Sequence, residues 1–108
     1  MPEQPALPCS VNTTQHRALG RLVNLQFADG LLLKLTMPEA SSLSFALIAV
    51  RDGISPEKEI YMSPIASDAA FLGSVRAGGM DIAGATGALE LDWQQVGWLA
   101  EKLAFAIS

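Results

Sequence analysis

A single cysteine and a single histidine are all the thiol and imidazole this 108-residue chain contains. One thiol forms no internal disulfide and fits a reducing compartment. Cys9 and His16 both fall in a stretch that reads as a tail, which lacks the rigid mutual geometry a Cys–His nucleophilic pair requires. Charge is scarce as well. Charged residues make up 17% of the chain, against about 25% in an average globular domain. A surface that poor in charge favours an oligomer over a monomer. No run approaches the roughly 20 apolar residues of a membrane span, and the N-terminus has neither the charged start nor the apolar core of a secretory signal. The expectation is a cytoplasmic chain with no membrane segment.

Recurrent chemical devices are missing too. There is no Gly-Lys-Ser/Thr and no Gly-x-Gly-x-x-Gly set between a strand and a helix. Asp81, Glu90 and Asp92 cluster with no histidine or cysteine beside them, which is too little for a metal. No catalytic residue, metal site or cofactor is therefore assigned, and the reading leans away from an enzyme. The net charge of −4, the pI near 4.7 and the dispersal of the 7 basic residues argue against nucleic-acid binding, which relies on clustered Lys and Arg.

The most legible stretch is Leu91 to Ile107. Asp92 is a good N-cap, Gln95 completes a capping box, and Leu91 with Val96 form a hydrophobic staple. At helical spacing Trp93, Val96, Leu99, Ala100, Leu103 and Ile107 share one apolar face. Trp98 and Phe105 lie on the other side, two turns apart, among Gln94, Glu101 and Lys102. Leaving two aromatic rings in water forfeits much of the roughly 1.5–3 kcal/mol that burial of each can contribute, so something should cover them. Either this chain folds over them or they meet a partner. Trp98, Phe105, Glu101 and Lys102 are the candidate partner-binding residues, for a protein partner or for self-association.

Upstream, residues 1–17, with prolines at 2, 5 and 8 and a run of Ser, Asn, Thr and Gln, read as a flexible arm. Residues 18–108 read as one α+β domain. Arg21 to Phe27 alternates as a strand, and Ala28-Asp29-Gly30 turns it into a return strand, Leu31 to Thr36. The stretch 37–52 carries conflicting signals. Thr36, Pro38, Glu39 and Gly53 mark the boundaries of a helix, while Leu43, Phe45, Leu47 and Ala49 alternate as a strand does. The alternation favours a bend at 38–42 followed by a buried strand at 43–51. Ile60 to Ser63 reads as a partner strand, and 67–76 as a short middle helix capped by Ser67. Met80–Ile82 and Leu89–Leu91 suggest a third hairpin, with Asp81 and Glu90 on its solvated face. The expected architecture is a set of antiparallel hairpins in one curved sheet or small open barrel, with the middle helix and a C-terminal helix packed on it. Arg76, Gly78 and Gly79 form a weaker candidate site for a small ligand or anion, since turn glycines let backbone amides approach a negative charge.

Overall fold

The computed structural model describes residues 9–108. Seven strands and two helices follow in the order β1 (Cys9–His16), β2 (Gly20–Phe27), β3 (Leu32–Thr36), α1 (Met37–Arg51), β4 (Glu59–Met62), β5 (Phe71–Arg76), β6 (Gly79–Ala83), β7 (Ala88–Asp92) and α2 (Trp93–Ile107). All pairings are antiparallel between sequence neighbours, in two sheets, β1-β2-β3 and β4-β5-β6-β7. The class is α+β, but the hairpins are divided between these two sheets rather than gathered in one.

Period-two patterning orients both sheets. In the first, Val23, Leu25 and Phe27 of β2 point inward together with Leu33 and Leu35 of β3. In the second, Phe71, Met80, Ile82 and Leu91 do the same. The two helices meet these faces with Ala40, Leu43, Leu47 and Val50 of α1 and with Val96, Leu99, Ala100 and Leu103 of α2, so a single core serves every element. Among the described residues no helix is long and apolar enough to cross a membrane.

Three segments depart from the sequence reading. Residues 9–16, expected in the arm, form β1, paired with β2 from Cys9↔Phe27 to His16↔Gly20. Cys9, Val11 and Thr13 lie on the inward face there, a weak alternation among polar neighbours. The first part of the arm, residues 1–8, lies outside the described residues. Residues 37–51 are a helix, not a bend and a strand. The capping box decides it: the Glu39 amide donates to Thr36 Oγ1 at 3.4 Å and the Thr36 amide to Glu39 Oε1 at 2.9 Å. The alternation was misleading because Phe45, one of its members, is 73% exposed. Ser44, a mediocre helix former, has instead a tertiary role, its buried hydroxyl donating to the Ala100 carbonyl of α2 at 2.9 Å.

The middle helix expected at 67–76 is absent, and 71–76 is β5. Gly73 explains why a strand wins: it faces the core where the Met80 sulfur would stand 2.6 Å from any Cβ, so the glycine makes the room that Met80 fills. Ser67, read as that helix's cap, instead grips β3. Its hydroxyl accepts from the Lys34 amide at 2.6 Å and donates to the Lys34 carbonyl at 3.0 Å.

The C-terminal helix is where the sequence placed it. The Gln95 amide donates to Asp92 Oδ1 at 2.8 Å and the Asp92 amide to Gln95 Oε1 at 3.0 Å, completing its capping box. The hairpin tips of the two sheets also touch. Asp29, in the β2–β3 turn, accepts through Oδ1 from the Leu31 amide and through Oδ2 from the Thr86 amide of the β6–β7 turn, each at 3.2 Å.

Candidate functional site

The inward face of α2 is settled by the residues it buries, Val96, Gly97, Leu99, Ala100 and Leu103. Geometry then fixes the opposite side. Trp98, Glu101, Lys102 and Phe105 fall at i, i+3, i+4 and i+7, one ridge of the helix surface. That ridge runs beside β1, and between them lies a groove of about 850 Å³ whose other wall is Val11, Asn12 and Thr13 with Arg21 of β2. The four residues singled out from the sequence as partner contacts thus come together on one wall. Phe105 is 82% exposed, whereas Trp98 is largely covered within the chain and only its remainder reaches the groove.

The groove mixes two aromatic rings, the cations Arg21 and Lys102 and the carboxylate of Glu101. Cys9 lies close enough to Lys102 to feel its charge, but burial outweighs that and pushes the thiol up to about 11. A thiol held neutral is a poor nucleophile. His16 is committed elsewhere: its Nδ1 accepts the Ala18 and Leu19 amides at 3.1 and 3.0 Å, shaping the β1–β2 turn. Among the described residues no group of three or more His, Cys, Asp or Glu side chains is placed to hold a metal. What the groove can do chemically is bury rings and pair charges.

β1 adds a feature that sequence reasoning missed. Among the described residues it is an edge strand, with β2 as its sole partner in the sheet. None of its residues, Cys9 to His16, is charged or a proline, and its register against β2 runs unbroken over all eight. The signal that could have revealed it was the spacing of Cys9, Val11 and Thr13, obscured by the polarity of what lies between. One strand inward, Asn24 is only 6% exposed and donates to Asn12 Oδ1 at 2.9 Å and Thr14 Oγ1 at 3.1 Å, fastening β1 to the sheet through side chains.

The glycine-rich candidate sits apart, on the second sheet. Arg76 Nε donates to Asp81 Oδ1 at 2.8 Å, and an Nη2 bond to the Leu91 carbonyl measures 3.4 Å. The Asp81 bond raises the arginine's pKa further, with the charges of Glu90 and Asp92 assisting. Asp81 and Glu90 are register partners across β6 and β7 on the face away from the core, as the alternation implied. Gly79 is there for close approach: a Cβ would run into the Leu91 carbonyl of the next strand. Gly78 lies in the β5–β6 turn beside the arginine. Comparison with protein-family models, curated proteins and solved structures returns no match to this chain, whose function is therefore read from its own surfaces.

Proposed function

We propose that this protein is a non-enzymatic interaction or assembly module whose contact surface is the groove between α2 and β1. The observation that carries the reading is the joint position of Trp98 and Phe105, partly to largely exposed on a helix whose other face is fully used by the core. Interface energy concentrates in aromatic anchors ringed by polar or charged neighbours that contribute little energy themselves but exclude water. Glu101, Lys102 and Arg21 supply such neighbours, and they give a partner charges to match. The low charge of the whole chain points the same way.

The test is the double substitution Trp98→Ser with Phe105→Ser, followed by circular dichroism for melting and by light scattering and co-purification for association. Phe105 buries too little here for its loss to unfold the protein, so Phe105→Ser alone should melt close to the parent, while the double variant loses its partner and gives up stability only for the largely covered Trp98. A loss of several kcal/mol from Phe105→Ser alone, the scale seen when core aromatics are deleted (about 3–5 kcal/mol for removal to alanine), would mean that this ring belongs to the core and would refute the reading. So would association that survives both changes.

A further inference from the structure

Building on that reading of the groove, we infer that its occupant is a second copy of this chain, joined edge to edge through antiparallel pairing of β1 with its two-fold mate. Unpaired strand edges invite another strand, and natural sheets blunt them with charges, prolines, bulges or a covering segment. Three edges here are so treated. β3 is clasped by Ser67 at both backbone groups of Lys34. β4 has four residues and carries Glu59, while β7 has five and carries Glu90 and Asp92. β1 alone is long, uncharged, free of proline and regular in register. No described residue outside β2 hydrogen-bonds its backbone.

Symmetry explains why the added strand is the chain's own. A two-fold axis normal to the sheet makes adjacent strands antiparallel and keeps the core faces of both copies on the same side. Residues directly opposite each other then share a face, so even-numbered positions of β1 meet even ones and odd meet odd. Centring the axis on the groove-lining trio Val11, Asn12 and Thr13 sets Asn12 opposite its own mate and Val11 opposite Thr13 of the other copy. The two α2 ridges then flank the seam on one side, bringing Trp98 and Phe105 of each copy towards those of the other. Charge follows the same rule. A groove holding Arg21 and Lys102 beside Glu101 is complementary to itself turned about a two-fold, each carboxylate meeting a cation of the mate, whereas a partner of one charge sign would be matched by only part of it.

The experiment is light scattering on the full chain, on Ser10→Lys with Gln15→Lys, and on Trp98→Ser with Phe105→Ser, each with a thermal melt. Ser10 and Gln15 are exposed on β1 and their side chains make no hydrogen bond among the described residues, so the changes leave the single copy folded, the new cation at position 15 facing Arg21 across the β1–β2 pair, while crowding four cations along the seam. The parent should have twice the 11.4 kDa chain mass. The lysine variant should fall to the chain mass, with a melt that no longer shifts with protein concentration. A parent that stays at the chain mass at hundreds of micromolar overturns the inference. A lysine variant that remains a dimer overturns it too. In either case the groove survives as a contact surface if Phe105→Ser, run alone, keeps its stability and the double serine variant loses a partner, and falls with it if Phe105→Ser alone is grossly destabilised.

Discussion

Replacing Gly97 with alanine should leave the protein at least as stable as before, and by up to about 1 kcal/mol more stable, although the glycine is buried in α2 beside α1. A Cβ built at Gly97 finds Arg51 as its nearest neighbour, with Nη1 at 2.6 Å, Cδ at 3.6 Å and Cζ at 3.7 Å. The first distance is too short, so the guanidinium must move. It is the far end of a flexible side chain, one-third exposed, and its hold is a pair of bonds to Asp52 at 2.9 and 3.4 Å. Such a surface pair contributes about 0–1 kcal/mol. Against that, alanine is favoured over glycine in a helix interior by about 0.8–1.0 kcal/mol. The difference lies between zero and about +1 kcal/mol, and in a domain of this size 1 kcal/mol shifts the melting temperature by roughly 4–8 °C. Urea unfolding followed by circular dichroism measures it, and a cycle with Arg51→Ala isolates the clash: once the arginine is cut back, the full helix term should emerge. If Gly97→Ala costs more than about 1 kcal/mol and does so equally in the Arg51→Ala background, the glycine is setting the distance between the helices and the reasoning fails.

Both capping boxes should be measurable in the same assay, with Asp92→Ala and Thr36→Ala each losing about 0.5–2 kcal/mol; a neutral result at either would mean that tertiary packing alone fixes that helix start. Asp29 should make the protein acid-sensitive. The Thr86 amide, with that of Leu31, holds its carboxyl below the usual carboxylate range. Because the folded value is the lower one, the contribution is complete above the unfolded pKa of about 4 and disappears as pH falls through the folded value. Asp29→Asn should therefore flatten the decline in melting temperature below pH 4, and parallel declines in variant and parent would refute the clamp. Cys9, pushed up to about 11 by burial, should be thiolate in only about one molecule per thousand at pH 8. Alkylation of the folded protein should then lag far behind that of the urea-unfolded chain; equal rates would show an open thiol.

How much of this was legible in the sequence depended on whether the deciding contact was local. The start of α2 was, because Asp92 and Gln95 sit three residues apart and cap each other within one turn. The β2–β3 hairpin was, because Asp29-Gly30 carries its turn chemistry with it, Gly30 adopting a φ of 101°. The strand at 71–76 was not. Its rationale lies in Met80 seated over Gly73 and in Ser67 gripping Lys34, both invisible to a window read along the chain. β1 was missed for a related reason: edge strands bury little, so Asn12, Thr13, Thr14 and Gln15 carry no hydrophobic pattern to detect. In α1 the local signals were sound and were overruled by an alternation in which Phe45 only happened to take part. The groove itself was half legible, its helical wall from spacing and its strand wall not at all.

The clasp of Ser67 on Lys34 has one more implication, and it concerns valency. A sheet that can be extended at both ends is a monomer unit for a fibre, and growth stops only when concentration runs out. With β3 closed by a hydroxyl that occupies both the amide and the carbonyl of Lys34, the proposed pairing has one edge of this three-stranded sheet to use, β1, among the described residues. A second copy joined at β1 brings its own clasped β3 to the far end, so assembly along this direction is finite by construction and saturates at one added sheet.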